Sequence, residues 1–488
     1  MPEHARTFGS LRGSGRHASL PRRLALAGAL LCAAATSTAI AADAPAIHDG
    51  SLTWNGITLY GTLDIGYQYD SHGTPISDYH PAGFEEVIQK NSNGSVNGVV
   101  GSNLSQSKIG LKGAEDIGNG WSGIFRLEVF VNPWSGNIPD AQKSMTLANG
   151  VPLTQQSTAV NSSVAGQLFQ TSLVGISHKD FGTLTFGRQN GVLFDGIIKY
   201  DPLNASQAFS PIGFSGTPSG GGSTEDRRLD GSMKYDLVSG PVHAGAQFQP
   251  RSGTNLGTTT ELALGWNFPG GSIDAFYVRK YDAITNGPLT LAQVNDVAQV
   301  CAGTATPAIA SQYACAAIDK ALAGTASDNT AYSLMGKWSF ADGRATVFAG
   351  YEHMRFQNPS NPVPNGQIDI GGYVEAHVNN AAFPSPKVQQ VSWVGLRWAA
   401  TPQLEVTGAY YRYDQNSYST ADPGCSSASV SAQCSGSENF ASFLVDYRFT
   451  KRFDVYGGAM WSAVQGGLAN GFAYTSMIDP TIGVRYTF

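Results

Sequence analysis

The chain has 488 residues, of which 42% are hydrophobic, 10% aromatic and only 14% charged, with 58 glycines. So little charge beside so many aromatics and glycines excludes a disordered chain and a coiled coil. With 30 basic against 36 acidic residues there is no basic excess, which argues against a nucleic-acid partner.

The first element in the chain is an export signal. Arg12, Arg16, Arg22 and Arg23 form a basic region, an apolar run follows from Leu24 to Ile40, and Ala39-Ile40-Ala41 supplies small residues before a cleavage point. This predicts a signal peptide over 1–41, cut after Ala41, and a mature domain over 42–488. A membrane anchor is the competing reading; the alanine-rich centre and small-residue exit favour removal. Cys32 would suggest a lipoprotein site, but Leu31 before it is too large. Removal of five arginines and one glutamate leaves 25 basic against 35 acidic residues, net −10. No later run of about 18 apolar residues follows, so no transmembrane helix is expected. The exported chain is then either water-soluble or a β-barrel.

Beyond the signal the repeating unit is a strand of about ten residues with period-two alternation. In Ile57–Tyr69 one face holds Leu59, Gly61, Leu63, Ile65, Tyr67 and Tyr69, and the other Thr58, Tyr60, Thr62, Asp64 and Gln68. In Glu261–Phe268 the apolar face is Leu262, Leu264, Trp266 and Phe268; in Ala331–Phe340 it includes Tyr332, Leu334, Trp338 and Phe340. In Phe440–Phe449, Phe443, Val445, Tyr447 and Phe449 stand opposite Ser442, Asp446 and Arg448. A soluble sandwich alternates too. Aromatics on the apolar face near strand ends favour a membrane barrel, where interfaces hold such rings.

The connections alternate between short and long. Short ones include Lys179-Asp180-Phe181-Gly182, Pro269-Gly270-Gly271 and Thr450-Lys451-Arg452; long ones cover 132–168, 190–226, 282–329, 356–386 and 414–438. The fold class predicted is therefore all-β: a transmembrane, antiparallel, up-and-down barrel with short periplasmic turns and long external loops. Sixteen strands are expected, starting near 57, 106, 121, 169, 182, 227, 242, 259, 272, 330, 345, 387, 404, 439, 453 and 480. A barrel of that size keeps a water-filled lumen.

Four cysteines lie beyond the signal: Cys301, Cys315, Cys425 and Cys434. In an exported protein they are expected as disulfides, and four cysteines allow three pairings. Pairing 301 with 315 and 425 with 434 closes the shortest loops, while a 301-to-425 link would join two loops over the pore mouth. No Cys/His metal spacing or nucleophile motif appears, so neither a metal, a cofactor nor an enzymatic activity is expected.

The residues resemble a family. Leu59-Tyr60-Gly61-Thr62-Leu63-Asp64-Ile65-Gly66 looks like the opening strand of Gram-negative trimeric general porins. Ser107–Gly118 followed by Ile124-Phe125-Arg126-Leu127-Glu128 is similar to their second hairpin, and Phe181–Gln189 to the segment before their constriction loop. Asp446-Tyr447 with Thr450–Tyr456 resembles a late hairpin of the β-proteobacterial members. The resemblance spans the mature chain, and the long loops depart from it, notably 282–329.

The resemblance implies an outer-membrane homotrimer, latched by loop 132–168, in contact with lipid and lipopolysaccharide. It implies passive diffusion of ions and small hydrophilic solutes. A substrate-specific channel is the closest rival, and a barrel enzyme or a plugged receptor fits less well. It also implies that the long loop 190–226, matching the family's third loop, folds into the barrel. That loop holds Asp195, Asp201, Glu225 and Asp226, and the matching basic wall positions are Lys108, Arg188 and Arg228. Alternation puts Arg228, Asp230, Ser232 and Lys234 on one face. Arg188 shares a face with Leu184 and Phe186, so its reading needs a bulge or a strand end. Ile482, Val484, Tyr486 and Phe488 form a last apolar face resembling the strand read by the barrel-assembly machinery, with Tyr486 and Phe488 as its signal.

Overall fold

The computed structural model describes residues 52–72, 94–136, 168–212, 228–251, 257–286, 321–362, 368–370, 373–419, 425, 431–470 and 474–488, all within one unit, Leu52–Phe488. The signal segment 1–41, Glu225, Asp226, Cys301 and Cys315 lie outside the described residues, as do 137–167 and 287–320 within two of the long loops.

Alternation over ten or more residues satisfies a strand only if both its edges are paired, and here sixteen strands close on themselves. They are β1 Ile57–Asp70, β2 Val96–Gly101 resumed as Lys108–Gly118, β3 Trp121–Phe130, β4 Thr171–His178 and β5 Gly182–Asn190. Next come β6 Arg228–Ser239, β7 Val242–Gln249, β8 Thr258–Phe268, β9 Gly271–Asn286, β10 Ala321–Phe340 and β11 Ala345–Gln357. The circuit ends with β12 Lys387–Ala399, β13 Leu404–Gln415, β14 Gly436–Arg448, β15 Phe453–Gly466 and β16 Thr481–Thr487. Each strand is antiparallel to the next, and β16 returns to β1 with Thr487 opposite Thr62 and Thr481 opposite Gln68. Phe488 extends that seam: its N–H donates to Gly61 O and its carbonyl accepts from Gly61 N, both at 3.0 Å.

The faces sort as the alternation requires. Leu59, Leu63 and Tyr67 of β1, Leu264 and Trp266 of β8, and Tyr332 and Trp338 of β10 are exposed on the outside. Asp64, Gln68, Ser442 and Asp446 are buried on the inside. Apolar groups outside and polar groups inside invert a water-soluble protein, and the arrangement is stable only with lipid around the wall. Near the short turns, Trp338 stacks with Phe340 at 5.4 Å between centroids and Tyr447 meets Phe449 edge-on at 4.9 Å. They form an aromatic belt at that interface.

Two strands begin earlier than the alternation predicts. β2 starts at Val96 instead of 106, because 102–107 is a bulge between two halves of one strand. Asp64 holds that bulge, accepting from the N–H of Leu104 at 2.9 Å and of Ser105 at 2.7 Å. β10 starts at Ala321 instead of 330, since the β9–β10 ladder resumes beyond an irregularity between Lys280 and Ala283, where Asp282 has φ +52°.

Cys425 and Cys434 are disulfide-bonded, with Cα atoms 5.4 Å apart. Peptide mapping without reduction should therefore recover a linked 425–434 fragment. A free thiol at either position would contradict it.

Candidate functional site

The segment after β5 turns into the barrel as a helix, α1 (Val192–Tyr200). Leu193, Gly196, Ile197 and Tyr200 repeat at helical spacing and are buried against the wall. The wall strand itself caps the helix: Glu261 Oε2 of β8 accepts from Leu193 N at 2.9 Å, placing a carboxylate at the positive end of the helix dipole. Asp195 in the first turn and Lys199 in the last suit the same dipole. Gly196 permits the close approach, because a Cβ there would stand 2.2 Å from the Phe276 ring.

Beyond α1 the chain continues round the inside of the barrel, fastened at intervals. Tyr200 donates its hydroxyl to Asp274 at 2.6 Å, Trp393 Nε1 donates to Tyr200 O at 3.1 Å, and Arg397 donates to Pro202 O. Ser442 Oγ donates to Phe209 O at 2.6 Å. At the far end Ser206 Oγ and Ala208 N donate to Asn103 O, in the β2 bulge, at 2.9 and 3.0 Å. The inner wall beneath this path is apolar: Phe276, Met335, Trp393, Tyr411, Phe440 and Met460 pack against Leu193, Ile197, Leu203 and Phe209 of the loop. The third long loop thus narrows the lumen from the β9–β15 side.

Asp201 does not line the gap, as the sequence predicts, but is fully buried. It accepts from the Tyr411 hydroxyl and from Ala205 N, both at 2.6 Å, and burial raises its carboxyl above the ordinary value. The residue before a proline is driven out of the helical region, so the chain turns at Asp201 and aims its carboxylate into the wall. Asp195 is exposed, ion-paired with Lys234 of β6 and accepting from Asn190 Nδ2 at 2.8 Å.

Across the lumen, β1–β3 carry a basic cluster. Lys108 Nζ lies 2.9 Å and Arg126 2.7 Å from Glu128 Oε1, and Thr171 Oγ1 donates to Glu128 Oε2 at 2.8 Å. Arg126 Nε also donates to the Tyr60 hydroxyl at 2.9 Å, and Lys112 Nζ sits 5.3 Å from the Tyr60 ring centroid. Lys112, Arg126 and Glu128 were not singled out from sequence, although they occupy the polar positions of their strands.

Arg188 departs from the expected wall cluster, and Arg228 reaches it from another face than the alternation assumes. The ladder places Gly187 opposite Ser232 but Gln189 opposite Leu229, so β6 carries one extra residue around Gly231, whose φ is +57°. That insertion breaks the face assumed for Arg228, Asp230, Ser232 and Lys234. Arg188 stays opposite Ser172, on the outward alternation of Leu184 and Phe186, and pairs with Asp230 and with Gln170 at 3.3 Å. Arg228 lays its guanidinium over the Phe130 ring, 4.6 Å from the centroid.

Comparison with known proteins agrees with this architecture. The sequence pattern of the Gram-negative porin family matches residues 27–466. An outer membrane porin of Bordetella pertussis is 25% identical over 193 residues, covering 39% of this chain and 41% of that relative. The chain thus aligns with about two fifths of that protein's length. Among solved structures, the anion-selective porin from Comamonas acidovorans superposes with a TM-score of 0.55 at 16% identity, covering 88% of this chain and 99% of that one. OmpT of Vibrio cholerae gives 0.54 at 13% identity, over 90% and 100%. The likeness to both is one of fold. With a closed barrel, lipid-facing outside and lumen narrowed by its third long loop, the chain belongs to the Gram-negative porin family of outer-membrane proteins.

Proposed function

We propose that the protein is a homotrimeric channel for passive diffusion of ions and small hydrophilic solutes, and that its constriction favours anions. One observation carries the preference. Among the described residues Lys108, Lys112 and Arg126 cluster about the carboxylate of Glu128, while Asp201 is buried and Asp195 is engaged by Lys234. In a narrow aqueous gap with low-dielectric walls such an excess raises the local anion concentration. The Comamonas relative of this fold is described as anion-selective, and a trimer form of the Vibrio OmpT is known.

The same reading takes 1–41 as removed on export, lipid and lipopolysaccharide as the surround, and Tyr486 and Phe488 as the strand presented to the assembly machinery. It treats the chain as a channel and not as a barrel enzyme, because the buried inward-facing polar groups fasten a loop to the wall. Liposome swelling tests it. Of two sugar derivatives of equal size, the carboxylate should enter faster than the amine. Equal rates would remove the anion preference, and no swelling at all would remove the channel.

A further inference from the structure

The inner wall carries a second basic group, on the β9–β12 side and close to the short turns. Lys337 of β10 and Arg397 of β12 alternate with Trp338 and Trp398, which are exposed outside, so both point inward. Lys337 stands three residues before the end of β10 and Arg397 two before that of β12. At about 3.3 Å per residue, both lie within about 10 Å of the periplasmic ends of their strands. The third cation comes from the loop: Lys199, in the last turn of α1.

Two buried rings link the three cations. Lys199 Nζ and Lys337 Nζ lie 4.7 and 5.9 Å from the Tyr200 ring centroid. Lys337 Nζ and the Arg397 guanidinium lie 6.0 and 5.0 Å from that of Phe348. A ring face attracts a cation without neutralising it, so the rings gather like charges that would otherwise move apart.

Two of the three cations have a carboxylate, and the one between them has none. Lys199 Nζ lies 3.0 Å from Asp274 Oδ2, and His243 Nε2 lies 2.7 Å from Asp274 Oδ1. Gly265 of β8 stands between His243 and Asp274 in the ladder, and a Cβ there would strike both side chains. The glycine therefore lets that carboxylate be held at the wall. Arg397 Nε lies 3.5 Å from Glu405 Oε1, a carboxylate shared with Arg448 at 3.4 Å. Lys337 donates to Lys199 O at 3.3 Å and, among the described residues, is paired with no carboxylate. Capping the helix end uses one of its three ammonium donors.

An unpaired lysine between two further cations, at the wall of a narrow aqueous lumen, concentrates anions and favours those with several charges. β10 and β12 are two strand spacings apart, about 10 Å, so a compact ion meets one of these cations at a time. Carboxylates spread along a short carbon chain can meet two or three together.

We propose that Lys199, Lys337 and Arg397 form a docking station for small di- and tricarboxylates at the periplasmic mouth of the lumen. The station is separate from Lys108, Lys112 and Arg126, which belong to β2 and β3. It rests on the water-filled lumen and adds a solute class to the anion preference.

Single-channel recording of the purified protein in potassium chloride tests it, with tricarballylate, sulfate and acetate as probes. Tricarballylate should interrupt the chloride current at about tenfold lower concentration than sulfate, and acetate should be weaker still. Lys337→Gln should raise the half-blocking concentration of tricarballylate about tenfold, and Lys337→Arg should keep most of the block. Arg344→Gln removes an equal charge from the exposed turn after β10, where Arg344 donates to Ala399 O and Ala400 O, and should leave the block as in the parent. Heat-modifiable gel mobility reports whether each variant has closed its barrel. Equal block by tricarballylate and sulfate, or a Lys337→Gln variant blocked like the parent, would overturn the proposal. So would equal losses in Arg344→Gln and Lys337→Gln, because any charge at the mouth would then suffice. Chloride steps without block would remove the station alone, and an absence of steps would remove the channel and the station with it.

Discussion

Lys112→Glu combined with Arg126→Glu is expected to turn the pore from anion-favouring to cation-favouring. Both residues face the part of the lumen that the loop leaves clear, with Lys112 over the Tyr60 ring and Arg126 bonded to the Tyr60 hydroxyl and Glu128. The double reversal removes two positive charges, adds two negative ones, and leaves Glu128 with Lys108 as its single basic neighbour. Two unit charges 4 Å apart in water interact by about 1 kcal/mol, so a change of this size should move the anion-to-cation permeability ratio by roughly tenfold. The effect should be large at 0.1 M salt, where screening acts over about 10 Å, and small at 1 M, where it acts over about 3 Å. Reversal potentials across a salt gradient report it directly. A ratio unchanged at low salt would place the controlling charges elsewhere.

Asp201→Ala together with Tyr411→Phe should loosen the loop without opening the barrel. The hydrogen bonds from Tyr411 and Ala205 to this carboxylate are both 2.6 Å long, and the double change removes the acceptor together with its tyrosine donor. Hydrogen bonds to a charged group are worth about 1.5–3 kcal/mol, enough to shift a locally held segment toward detached states. The expected result is a rise in open-channel noise and mean conductance, with heat-modifiable gel mobility as in the parent. Unchanged noise would mean that the bonds from Trp393 and Ser442 hold the loop unaided.

Much of the barrel was legible because a lipid-facing strand has no freedom in its alternation. The same constraint exposes Leu59, Leu63, Trp266 and Trp338 outside and buries Asp64 and Gln68 inside. Where the constraint lapses, the reading lapses too. β2 and β10 extend through irregularities, and no period marks their true starts. One inserted residue at Gly231 was sufficient to break the face assigned to Arg228 and Asp230. The run Ala275-Phe276-Tyr277-Val278 is apolar on both faces because the inner one meets α1, and alternation alone cannot show a loop that packs inside. Asp201 reads in sequence like any loop acid; only the fold reveals Tyr411 waiting for it. Lys112, Arg126 and Glu128 sat on the polar face in plain view, but every strand offers such positions and spacing does not rank them.

The most direct measurement is single-channel recording of the purified protein in a planar bilayer, with a gradient of potassium chloride across it. A water-filled passive pore narrowed by a fastened loop and lined by Lys108, Lys112 and Arg126 should give long-lived ohmic steps, grouped in threes, with a reversal potential of the sign set by chloride. An absence of steps, or a reversal potential of the sign set by potassium, would contradict it.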